Sequence, residues 1–181
     1  MASYPTGKLF DRNHPNSSGF YIHPCAVIQA KTYYEMGRNL YSDIENRLNN
    51  GDNSTETSVK IYPAFVNIAF ACEIILKLLY ENENGEMAKG HKLYQDLYSK
   101  LSSNAQNIIS DITINSMKVK GLEDYNLEKF NEELKTSEHT FAHERYIFEY
   151  KPNQQHGIRV AFMLSFVETL LRLIMIERES V

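Results

Sequence analysis

The stretch PAFVNIAFACEIILKLLYENENGEMAKGH, Pro63–His91, decides how the chain is read. Phe65, Ile68, Ala69, Cys72, Ile75, Leu76 and Leu79 fall three and four residues apart, which places their side chains on one face of an α-helix. Phe70, Ile74 and Leu78 carry apolar surface around to the other side. The spacing therefore predicts a helix from about Pro63 to Tyr80 at the centre of a domain, since a surface helix keeps a polar face. Pro63 suits the first turn, where its missing N–H would lack a partner anyway. Asn67, Glu73 and Lys77 interrupt the apolar pattern. Glu73 precedes Lys77 by four residues, the favourable order for an ion pair on one helix face. Charges set in an apolar helix need partners or a route to water.

The 181 residues suit one domain with a sizeable core, and the 43% hydrophobic and 23% charged composition is that of a globular protein. A net charge of -4 gives no general attraction to nucleic acid or anionic membranes, so binding either one requires a local basic patch. The two cysteines, Cys25 and Cys72, lie in or beside apolar helical pattern and are expected as reduced, packed thiols. There is no CxxC pair, no apolar N-terminal core of the kind a signal peptide needs, and no GxSxG or phosphate-binding glycine loop. Glu168 and Arg172 interrupt the apolar segment from Val160 to Ile176, which reads as a core helix and not as a membrane span. The expected location is the cytoplasm, with no membrane contact and no cofactor.

Outward from the central stretch, residues 1–24 show no sustained period and are expected to be an irregular lead-in to a single domain over 25–181, with Phe20, Tyr21 and Ile22 docking on the body. A long helix is predicted from Cys25 to Leu48 on the stripe Ala26, Ala30, Tyr33, Gly37, Leu40, Ile44 and Leu48. Residues 49–60 read as a polar loop. His91 to Leu101 reads as a short amphipathic helix that Gly90 and His91 open. Ser102 or Ser103 can cap the next helix, which buries Ala105, Ile108, Ile109 and Ile112. Residues 116–126 read as a loop, Leu127 to Lys135 as a short helix, and 137–150 as a helical turn or short helix. A last long helix runs from about Gln155 to Glu179, with Ser165, Glu168, Thr169 and Arg172 as a narrow polar face. No strand pattern or internal repeat is found. The fold class is all-α, an up-and-down helical bundle of long and short helices.

Three separated elements resemble the HEPN domain family. They are an apolar helix with Glu and Lys four apart (ACEIILKLLY, 71–80), Gly-His with a following leucine (GHKLYQDLYSKL, 90–101), and a downstream Arg-Tyr (FAHERY, 141–146). The resemblance spans about residues 26–150. It implies a bundle of four or five helices, a homodimer, and association with RNA, with a nucleotide or with a nucleotidyltransferase-type protein partner, in toxin–antitoxin or phage-defence settings. Ribonucleases of the family share an Arg followed four to six residues later by His. None of Arg12, Arg38, Arg47, Arg145, Arg159, Arg172 and Arg178 has a His at that distance. The resemblance thus implies the fold more than catalysis.

The candidate site residues follow. Glu73 and Lys77 read either as a functional pair in a cleft or as an ion pair tying the central helix to His91 or Arg145. Gly90-His91 offers first-turn N–H groups to an anion such as phosphate, or else a His91 that bonds neighbouring groups. His139 and His143 are four apart and would share a helix face, with Glu138 or Glu144 nearby. A solvated pair is favoured there over half of a metal site. His139, His143, Glu144, Arg145, Tyr146 and Glu149 form the densest polar cluster. Its residue types suit a metal-independent ribonuclease, in which a histidine moves the proton and Arg145 holds the phosphate, but a lock in which Arg145 and Tyr146 fasten this segment to the central helix, Arg145 meeting Glu73, is favoured. The expectation is a binding or partner module, with Glu73, Lys77, His91 and Arg145 converging in space.

Overall fold

The structure, a computed structural model, describes residues 24–144 and 159–179. The described residues are helical with no strand, and they form a bundle of six α-helices: α1 (Pro24–Asn49), α2 (Thr55–Val59), α3 (Ile61–Asn84), α4 (Ser103–Val119), α5 (Leu127–Glu144) and α6 (Val160–Glu179). The expected all-α class is correct. The lead-in over 1–23, including Phe20, Tyr21 and Ile22, lies outside the described residues, as do 145–158.

Helix α3 is the axis of the bundle. Phe65, Ile68, Ala69, Ala71, Cys72, Ile75, Leu76, Leu78 and Leu79 are all buried, whereas Asn67, Phe70, Ile74 and Lys77 line a half-buried face, so the helix is not covered all round as its apolar pattern predicts. The helix stops at Gly85, whose φ of 70° is the left-handed conformation glycine adopts most readily and whose N–H bonds the Glu81 carbonyl. Helix α1 runs antiparallel to α3: Tyr33 stacks on Phe70, Gly37 sits against Ala64 and Ile68, and Asp43 accepts from Lys60 Nζ at 3.1 Å. The stretch Thr55–Asn84 is long and apolar enough to cross a membrane, and half of its most apolar window is buried inside the protein.

Helices α4, α5 and α6 close the other side. Tyr98, Phe130, Phe162 and Phe166 form one aromatic cluster, with ring centroids 5.5–6.3 Å apart. Such edge-on and offset contacts add to what simple burial provides.

Several local expectations are corrected. The polar loop over 49–60 contains α2, because Ser54 Oγ accepts from Thr57 N and caps a helix there. Residues 116–126 are not all loop. Helix α4 continues to Val119 because Met117 is buried, and it ends against Gly121, whose φ is 96°. Helix α5 does not stop at Lys135 but runs on to Glu144, since Ser137 and Glu138 are buried against the bundle. Leu48 is exposed, outside the stripe assigned to it. Cys25, expected to be packed, is exposed in the first turn of α1, while Cys72 is buried and burial pushes its thiol pKa well up. Of the polar face expected on α6, Ser165 and Thr169 are buried: Thr113 Oγ1 donates to Thr169 Oγ1, Thr169 Oγ1 to the Ser165 carbonyl, and Lys120 Nζ to Ser165 Oγ. Ser102 is the cap of α4, with its Oγ accepting from Ala105 N.

Candidate functional site

Glu73 lies on α3 with its side chain only 8% exposed, a position costly for a carboxylate without partners. Its Oε1 accepts from Lys77 Nζ at 2.9 Å, one helical turn on, and meets His91 Nδ1 at 2.7 Å from across the loop. A carboxylate only accepts, so Nδ1 carries the hydrogen in this contact. Exposure is graded across the trio. The Lys77 side chain is 29% exposed and that of His91 68%. The imidazole therefore stands at the surface on a buried anchor, with Nε2 on the ring edge away from Glu73.

The segment that delivers His91 is not the regular helix expected over His91–Leu101. Leu93–Leu97 forms one π-helical turn and Tyr98–Lys100 a 3₁₀ turn, and His91 and Lys92 precede both. Two carboxylates impose this shape. Asp96 Oδ2 accepts from His91 N and Lys92 N, each at 3.1 Å, and Glu138 Oε2 reaches across from α5 to accept from Tyr94 N and Gln95 N, each at 2.7 Å. These are the amides the anion-binding reading of Gly90-His91 had reserved for a phosphate. The protein's own carboxylates fill that role, so an external anion has only side chains to use here. Gly90 has φ 89°, and a Cβ there would lie 2.2 Å from Asp96 Oδ2, so both conformation and space require glycine.

Around this anchor lie Lys92, whose Nζ donates to Gln95, and Lys135 on α5, whose Nζ sits 4.7 Å from the centroid of the Tyr94 ring. The sequence-predicted Glu73, Lys77 and His91 thus do converge. Arg145, Tyr146 and Glu149 lie outside the described residues. His139, His143 and Glu144 belong to α5, and their side chains also lie outside what is described. Among the described residues, no group of three or more His, Cys, Asp or Glu side chains is placed to hold a metal ion.

Sequence reasoning missed Asp96 and Glu138 as organisers of the site. Their signal was faint: Asp96 is an ordinary acidic residue six positions after the glycine, and Glu138 was seen only as a companion to His139. A cavity of about 520 Å³ lies elsewhere, at the α4–α5 connection and the start of α6, lined by Asp124, Tyr125, Lys129, Glu132, Glu133 and Arg159 among others. Tyr125 donates its hydroxyl to Glu133, and burial together with that carboxylate pushes its pKa up. None of the sequence-predicted site residues lines this cavity. Comparison of the chain with protein-family models, curated proteins and solved structures finds no match.

Proposed function

We propose that the chain is a cytosolic, HEPN-like helical module that works by binding, through the face around His91, to RNA, to a nucleotide or to a nucleotidyltransferase-type protein partner. One observation carries this reading. A buried carboxylate holds an exposed imidazole and a lysine at the same time, and two further carboxylates fix the backbone beneath them. Buried charge has a desolvation cost, and a protein with no use for a surface histidine has no evident reason to anchor one this way. The all-α bundle and the meeting of Glu73, Lys77 and His91 agree with the HEPN resemblance, and the homodimer is proposed from that resemblance alone. Lys92 and Lys135 bring further cationic groups to this face, where the overall charge of -4 gives no general attraction.

Fluorescence anisotropy with labelled single-stranded RNA and with tRNA tests the reading. His91→Ala is expected to weaken binding by about tenfold, the effect of losing one charge-assisted contact. Equal binding by wild type and His91→Ala would refute it. RNA cleavage in the same samples, abolished by His143→Ala, would replace the module with the ribonuclease that the His139, His143 and Arg145 cluster suggests by residue type.

A further inference from the structure

The contact between His91 Nδ1 and Glu73 dictates what the other ring nitrogen can do. With Nδ1–H given to Glu73 Oε1, a neutral ring presents a bare acceptor at Nε2, whereas a protonated ring presents an N–H donor. A phosphate oxygen needs the donor. Glu73 Oε1 takes the Nδ1 hydrogen in either state of the ring, so the difference between the two states falls on the exposed Nε2. Lys77 Nζ gives one hydrogen to the same Oε1 and has two more to offer.

The charged groups on the neighbouring elements decide the balance. They are Glu73 and Lys77 on α3, Lys92 and Asp96 beside the π-helical turn, and Lys135 and Glu138 on α5, which also carries His139 and His143. The three lysines and three carboxylates cancel, so with His91 neutral the set has no excess charge, and one proton on His91 makes it cationic. Asp96 and Glu138 already occupy the amides of His91, Lys92, Tyr94 and Gln95, which leaves the work of donating to side chains, and His91 and Lys77 are the two held together on Glu73 Oε1.

Resting on the reading of this face as the contact surface, we propose that it is a proton-linked phosphate site, in which protonated His91 through Nε2–H and Lys77 through its ammonium bind the oxygens of a phosphate group carried by a nucleotide or by RNA. Binding draws a proton onto His91, and loss of that proton releases the ligand.

The test follows the His91 ring resonances by NMR while the intact protein is titrated with inorganic phosphate, a nucleoside 5′-monophosphate, and a short single-stranded RNA with or without a 5′-phosphate. The series is run between about pH 5.5 and 8.5, where histidine charge changes matter. Affinity is expected to fall about tenfold per pH unit once His91 loses its proton, and His91→Gln is expected to abolish this dependence while keeping the fold by circular dichroism. Preference for the 5′-phosphorylated RNA assigns the ligand as a terminal monoester, and equal binding of the two RNAs assigns it as a backbone diester; either result upholds the site. Binding that is lost in His91→Ala yet flat with pH and blind to phosphate and mononucleotide overturns the phosphate site while leaving the contact surface standing. Binding unchanged in His91→Ala overturns both, and no response of the His91 ring to any of the four probes overturns the site.

Discussion

Replacing Gly90 by alanine should unfasten the candidate site without removing a charged group. Two costs arise. Alanine at φ 89° occupies a left-handed conformation, at about 1–2 kcal/mol. Its Cβ would also stand 2.2 Å from Asp96 Oδ2 and 2.8 Å from Asp96 Cβ, so the carboxylate cannot rotate aside without moving its own base. Displacing it breaks the bonds from His91 N and Lys92 N. Both amides lie in exposed residues and can turn to water, so each bond is worth about 1 kcal/mol, less than the roughly 1.5–3 kcal/mol of a bond to a charged group. The total is about 3–4 kcal/mol. For a urea slope of roughly 2 kcal/mol per molar, the unfolding midpoint falls by about 1.5–2 M. Asp96→Ala separates the two costs, since it removes the bonds and keeps the glycine; it should lose about 2 kcal/mol. If Gly90→Ala unfolds at the wild-type midpoint, or if Asp96→Ala is neutral, the reasoning that Gly90 and Asp96 together set the path of His91 is wrong.

Two further outcomes follow from the bundle itself. Gly37→Ala adds a Cβ 2.7 Å from the Ala64 carbonyl oxygen and from Ile68 Cγ1, so α1 and α3 must separate. The overpacking cost of about 1–3 kcal/mol opposes a helix-propensity gain of about 1 kcal/mol, and chemical denaturation should show a net loss of up to about 2 kcal/mol; a stabilised variant would mean that the crossing is looser than described. Burial pushes the Tyr98 phenol from the ordinary 10.0 up to about 12. Because the raised value favours the neutral phenol in the folded state, its contribution is intact below about pH 10 and is lost as pH rises toward about 12. Denaturation midpoints of wild type should therefore drop more steeply across that window than those of Tyr98→Phe, and parallel profiles would contradict the assignment.

Periodicity alone made the bundle legible. The stripe on Pro63–Tyr80 demanded a buried face, and Phe65, Ile68, Ala69, Cys72, Ile75, Leu76 and Leu79 form it, while the second apolar side at Phe70 and Ile74 is only half-buried. The charged pair inside it demanded partners, with His91 or Arg145 as the candidates, and His91 makes the contact. Ser102 was readable as a cap because a serine ahead of an apolar period has few other uses there.

What remained illegible depended on contacts between residues far apart in the chain. Nothing local marks Glu138 as the acceptor for Tyr94 and Gln95, over 40 positions upstream, and without it the segment after Gly90 reads as an ordinary helix. The same holds for Ser165 and Thr169, which look like a wet face until Thr113 and Lys120 arrive to satisfy them. Sequence by itself determined the apolar stripes of the long helices that form the core, because burial follows from apolar spacing, but not their edges at Cys25 and Leu48 or the buried hydroxyls of Ser165 and Thr169. Only the tertiary structure decided which amides were free to bind a ligand and which were already taken, because hydrogen-bond partners depend on distances that packing sets.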